Sequence, residues 1–244
     1  MITESNVSLK APWRIWLGFI PYIVVCVIHV GTRFSNNNTV ADATKLWLMP
    51  MLVLAVLTAS IQLTRLGLAN RWQSARSVWL LLTLGLVFSW LGDGAGTLFP
   101  FAPTLPLMLL FFGVAHMCYI RLFWRHLALR PPSWWILFFA FWWVILLLIL
   151  WPRAQGLTPA IAAYGLVLGG TAALSTRCNL LVLCGGMFFL ASDTILAFRI
   201  FALELMPDWT SGMVMLTYTI GQGLIAAGTV IALSRASRDK VGQR

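Results

Sequence analysis

The sequence predicts an all-α protein, a polytopic transmembrane helical bundle of about eight helices with both termini in the cytoplasm. Three observations carry that prediction. The 244-residue chain is 60% hydrophobic and only 10% charged, whereas a soluble domain is about one-quarter charged; its mean hydropathy is +0.86. Apolar runs close to the ~20 residues that cross a bilayer recur along the whole length. Thirteen of the 17 Lys and Arg residues fall on the side of the chain ends, which the positive-inside rule assigns to the cytoplasm.

In order, the runs span about 13–31, 46–64, 77–99, 104–123, 133–151, 158–174, 180–201 and 211–233. Helix 1 ends near His29 and Arg33, and helix 2 opens at Lys45, three cations at the outer interface. Snorkelling of long side chains accounts for such residues; the functional alternative is a cationic mouth for a phosphate headgroup. Helix 3 carries Asp93 within a glycine-rich stretch (Gly92, Gly94, Gly96) that lets a neighbouring backbone or a ligand come close. Helix 4 carries His116, with Tyr119 three residues on and so on nearly the same face. Helix 5 is bounded by Pro131-Pro132 and Pro152, whose missing N–H suits helix ends. Its tryptophans (Trp134, Trp135, Trp142, Trp143, Trp151) suit the membrane interface. Helix 6 is short. Helix 7 carries Asp193. Helix 8 presents Tyr218 and Gln222 on one face and is kept slim by Gly221, Gly223 and Gly228.

No polar stretch is long enough for a soluble domain, so residues 1–244 read as one integral membrane domain. Residues 1–12 do not read as a signal peptide, and the run that follows is long enough to remain as an anchor. The net charge of +10 sits in short loops and orients the chain, which argues against a nucleic-acid partner. The four cysteines (Cys26, Cys118, Cys178, Cys184) are scattered without a C-x-x-C pair, so neither a disulfide framework nor a zinc site is expected. His126 falls in a cytoplasmic loop, so three histidines cannot converge with the aspartates. No metal or cofactor is expected.

Of seven acidic residues, only Asp93 and Asp193 lie inside apolar runs. A charge there costs about 2.5–3.5 kcal/mol on insertion scales, so a chain that keeps one has a partner or a use for it. Two carboxylates close together in low dielectric titrate apart, which equips them as a general acid and base. Counted from the outer helix ends, Asp93, Asp193, Tyr218 and Gln222 come out about 9–16 Å deep, with His116 nearer the midplane. These depths are compatible with one polar pocket. The bland readings are interhelical hydrogen bonds for the polar residues and a helix-end pairing for Asp93.

Gly92-Asp93 on helix 3, Gly113 with Ala115-His116 and Tyr119 on helix 4, Gly186 through Phe189 to Ser192-Asp193 and Ala197 on helix 7, and Tyr218 with Gln222 on helix 8 together resemble the YhhN family of eight-span membrane proteins. The helix 7 motif is the most specific. One departure is visible: the family often has Lys-Pro at the start of helix 2, whereas here Leu46 follows Lys45 and the proline is Pro50. The resemblance implies a lysoplasmalogenase activity, hydrolysis of the vinyl ether of a lysoplasmalogen (ethanolamine or choline) to a fatty aldehyde and a glycerophospho-alcohol. The implied partners are a lysophospholipid in the bilayer and water. The implied catalytic residues are Asp93, Asp193 and His116, with Tyr218, Gln222, Tyr119, Ser192 and Lys45 around the substrate. Asp193 is expected to be the proton donor and Asp93 the base or electrostatic stabiliser, although the two assignments can be exchanged.

Two other classes use buried aspartates. An intramembrane aspartyl protease carries Y-D and G-x-G-D on consecutive helices; here Asp193 follows Ser192, Asp93 lacks the first glycine, and four helices separate them. A proton-coupled transporter or lipid-binding protein remains the non-enzymatic alternative. The compact form predicts a bacterial cytoplasmic-membrane protein.

Overall fold

The computed structural model describes residues 13–66 and 73–239. It is 85% helical, has no strand among those residues, and contains eight helices long and apolar enough to span a membrane. They are helix 1 (Arg14–Phe34), helix 2 (Asn38–Arg65), helix 3 (Ala75–Asp93), helix 4 (Thr104–Leu127), helix 5 (Ile136–Ala154), helix 6 (Thr158–Ser175), helix 7 (Leu180–Phe201) and helix 8 (Thr210–Arg235). Residues 1–12 and, from the charge count, Lys10, Arg71, Lys240 and Arg244 lie outside the described residues.

Helices 1, 2, 3, 4, 6, 7 and 8 pack against one another in that order, helix 8, the most buried, also meets helices 1, 2 and 3, and helix 5 stands at the edge against helices 6 and 7. The most extensive packing is between helices 7 and 8. Glycine makes that approach possible: a Cβ on Gly185 would lie 2.8 Å from the Gly221 carbonyl oxygen, and one on Gly221 3.0 Å from that of Gly185. Helices 3 and 4 meet by a related device, with the Tyr119 and Phe112 rings in the space a side chain on Gly85 or Gly92 would need.

Several helices depart from the predicted bounds in ways that matter for the site. Helix 2 starts earlier, as a short amphipathic segment, Asn38–Lys45, capped by the Asn37 side chain. It breaks at Leu46 and Trp47 before continuing as Leu48–Arg65. Helix 3 stops at Asp93, and a separate turn, Ala95–Leu98, follows Gly94. Asp93 is therefore a helix-end residue rather than one inside a span running to 99. The Trp90 indole N–H donates to the Leu46 carbonyl at 3.0 Å, which ties the end of helix 3 to the break in helix 2. Helix 5 encloses Pro152 in its last turn instead of stopping before it. Its tryptophans divide: Trp134, Trp135 and Trp151 are exposed, whereas Trp143 donates to the Ala162 carbonyl of helix 6 at 2.9 Å and Trp142 packs into the core. Helix 4 ends in a π-turn, Phe123–Leu127, so His126 belongs to a helix rather than to a loop.

Candidate functional site

Polar residues of the bundle gather into three linked groups between the helices. The first is built on Asp93. Its carboxylate is almost completely covered, with Lys45 Nζ 3.9 Å from Oδ1 and the Tyr218 hydroxyl donating to Oδ2 at 2.7 Å. Lys45 closes the short segment of helix 2, and the Trp90–Leu46 bond described above holds that segment beside Asp93. Lys45 therefore reaches inward, with its side chain still 30% exposed. The other two residues of the expected mouth are otherwise engaged. Arg33 pairs with Asp42 at 3.1 Å and donates to Asn38, and His29 is buried with Nδ1 2.9 Å from the Thr44 hydroxyl.

The second group is built on Asp193, eight residues from the outer end of helix 7 and so about 12 Å deep along its axis. The Tyr164 hydroxyl of helix 6 donates to Asp193 Oδ2. It also lies 3.4 Å from His116 Nε2, which is itself 3.7 Å from Asp193 Oδ2. The contact at the other ring nitrogen selects the tautomer of the neutral ring. Thr171 commits its single hydroxyl proton to the Val167 carbonyl at 2.9 Å. Its oxygen therefore accepts at 3.1 Å from His116 Nδ1–H. In the neutral ring Nε2 is then an acceptor, and the Tyr164 hydroxyl sits between two acceptors, a carboxylate and an imidazole nitrogen.

The third group lies deeper. Tyr119 donates to Gln222 Oε1 at 2.7 Å, and Gln222 Nε2 donates to Ser89 Oγ at 2.9 Å. All three side chains are buried, and they tie helices 3, 4 and 8 together.

Aromatic rings join the groups. Phe189 contacts His116 on one side and Tyr218 on the other, at centroid distances of 4.7 and 5.5 Å. Phe112 lies 6.4 Å from Phe189 and 5.9 Å from Tyr218. The carboxylates thus stand on two sides of an aromatic wall, with no hydrogen bond between them. Beside Asp193 and Tyr164 is a cavity walled by leucines and isoleucines of helices 4 to 7, in which about 40 Å³ is open to the centre of a water molecule. That is room for a few waters, and Asp193 and Tyr164 are its polar lining.

Seven of the eight expected site residues fall within these groups: Asp93, Lys45 and Tyr218; Asp193 and His116; Tyr119 and Gln222. Ser192 does not. It is buried and donates to the Val214 carbonyl at 3.0 Å, fastening helix 7 to helix 8. Tyr164, Thr171 and Ser89 were not singled out from the sequence. Tyr164 had a signal of a kind: the chain has only four tyrosines, and a phenol in an apolar helix needs a partner for its O–H. Among the described residues no three His, Cys, Asp or Glu side chains converge as a metal-ligand set.

Fold and site together define an integral membrane helical bundle with two buried carboxylates, each hydrogen-bonded to a tyrosine. The YhhN family model matches residues 40–229, and the chain belongs to the YhhN family. Comparison with curated proteins and with solved structures finds no match.

Proposed function

We propose that the protein is a membrane-embedded hydrolase that cleaves the vinyl ether of a lysoplasmalogen, releasing a fatty aldehyde and glycerophospho-ethanolamine or -choline. The observation that carries this reading is the unequal dress of the two carboxylates. Asp93 has an ammonium 3.9 Å away and a phenol O–H donating to it at 2.7 Å. Among the described residues no Lys or Arg pairs with Asp193; its neighbours are a phenol and a histidine that can each take part in moving a proton.

Vinyl ether hydrolysis uses such a pair. Asp193, protonated, delivers its proton to the outer alkene carbon, and the electron pair of the C=C bond forms the new C–H bond. The ether oxygen then shares the positive charge as an oxocarbenium ion, and the Asp93 carboxylate, on the far side of the aromatic wall, opposes that charge through space in the low-dielectric interior. Glycosidases set two carboxylates against a similar cation. Water adds to the oxocarbenium carbon and loses a proton to a carboxylate. The resulting hemiacetal breaks its C–O bond to the glycerol oxygen, giving aldehyde and alcohol. Tyr164 serves both states of Asp193. It accepts from the acid while donating to His116 Nε2, and it donates to the carboxylate once the proton has left. Membership of the YhhN family is consistent with a hydrolase, and eight apolar helices suit a substrate that already lies in the bilayer. An ordinary proton-coupled transporter would need a gradient, whereas this reaction needs none.

Hydrolysis of lysoplasmenyl-ethanolamine in D2O tests the chemistry. The aldehyde, trapped by reduction to the alcohol, carries one solvent-derived deuterium on the carbon next to the former carbonyl. Aldehyde without that label contradicts protonation at carbon.

A further inference from the structure

On the face of the bundle that carries the chain ends, helices 4 and 6 finish beside one another. Arg121, Arg125 and Arg130 are exposed there, and Arg177 lies in the turn between helix 6 and helix 7. None of the four pairs with a carboxylate among the described residues. Arg177 is nonetheless held in one place. Its Nε donates to the Arg130 carbonyl at 2.9 Å, its own carbonyl accepts from Leu129 N–H at 2.7 Å, and its guanidinium carbon lies 4.6 Å from the centre of the Trp124 ring. Trp124 and Arg125 sit in the π-turn that ends helix 4, an irregularity often found at functional sites.

Arg177 Nη1 is covered by protein and has no hydrogen-bond partner among the described residues, so the rest of the guanidinium and its exposed neighbours are what a ligand meets. A guanidinium nitrogen cannot shed its protons, and a buried donor without an acceptor is costly, more so when charged. A half-buried guanidinium fixed through Nε and stacked on an interfacial tryptophan, flanked by three exposed arginines without a carboxylate partner among the described residues, matches the geometry of phosphate recognition. The ends of transmembrane helices lie at the headgroup level, where basic clusters attract anionic lipids.

We propose that Arg177, Arg130, Arg125 and Arg121, with Trp124, form a binding site for the phosphate headgroup of an anionic phospholipid in the leaflet facing the chain ends. The site lies at the opposite end of helix 4 from the outer mouth of the carboxylate cluster and is independent of the proposed reaction. A lipid there clamps the helix 4 terminus to the turn between helices 6 and 7, the elements that carry His116 and Tyr164.

The test uses the purified full-length chain in a non-ionic detergent, with thermal unfolding as the readout. Phosphatidylglycerol at about 100 times its Kd raises Tm by about 5 °C or more, while phosphatidylcholine with the same chains does not. The double substitution Arg121→Gln/Arg125→Gln, at exposed positions, removes most of that difference, and so does Arg177→Gln. Arg65→Gln, on the same face but at helix 2, keeps it. Equal shifts with both lipids overturn the proposal, as does an Arg65→Gln loss as large as that of the double variant, because the effect is then general surface charge. A shift reproduced by millimolar inorganic phosphate alone overturns the assignment to lipid.

Discussion

Replacing Tyr164 with Phe removes one oxygen from the centre of the site and leaves the ring. That oxygen donates to Asp193 and faces His116 Nε2 at 3.4 Å. Once Asp193 has given up its proton, the Tyr164 O–H is the hydrogen bond that receives the new carboxylate. A hydrogen bond to a charged group contributes about 1.5–3 kcal/mol, and each 1.36 kcal/mol is tenfold in rate. The substitution therefore lowers kcat by about 10- to 150-fold. KM changes much less, because the bond strengthens as charge develops. Aldehyde release coupled to alcohol dehydrogenase and NADH measures both constants. Thermal unfolding of the same preparation shows that the bundle is intact, as expected for a change that keeps the ring. Undiminished kcat in Tyr164→Phe refutes the reasoning, since Asp193 would then need no help from helix 6. A loss confined to KM refutes it too, because that marks uniform binding.

Lys45→Met leaves the Asp93 carboxylate without its ammonium and lowers kcat/KM about tenfold or more, with part restored in Lys45→Arg; equal activity of Lys45→Met and the parent chain removes Lys45 from the site. Ser192→Ala loses one interhelical bond and costs about 0.6 kcal/mol of stability without loss of turnover; a large fall in turnover with stability unchanged would return Ser192 to the substrate's side. Gly185→Ala drives a methyl group onto the helix 8 backbone, where the Gly221 oxygen would lie 2.8 Å away; it destabilises by about 1–3 kcal/mol, seen as a lower Tm in detergent.

The spans were legible because bilayer thickness imposes a length and a polarity that short runs of sequence carry by themselves. Ends were less so, because local residues decide them. Gly94 ends helix 3 six residues before the apolar run does, and that places Asp93 at a helix terminus. Helix 8 continues to Asp239, beyond the apolar run, because a polar stretch can remain helical once it has left the membrane. The two aspartates stood out because charge in an apolar span is costly. Their partners did not stand out equally. Lys45 looked like an interfacial snorkeler because nothing in its neighbourhood shows that helix 2 breaks behind it. Tyr164 sits in a run of small and apolar residues, and no local pattern says which way a lone phenol faces. Its link to Asp193 spans 29 positions, and that between Tyr119 and Gln222 spans 103. Ser192, next to Asp193 in the chain, points elsewhere because adjacent helical residues are about 100° apart around the axis.

The most direct test of the account is release of fatty aldehyde from lysoplasmenyl-ethanolamine by the purified chain in detergent, with Asp193→Asn measured beside it. The account predicts turnover without any ion gradient, and a loss of about 10²- to 10⁴-fold in the variant while its helical content and Tm persist. A folded parent chain that releases no aldehyde, or an Asp193→Asn chain that turns over as fast as the parent, would contradict it.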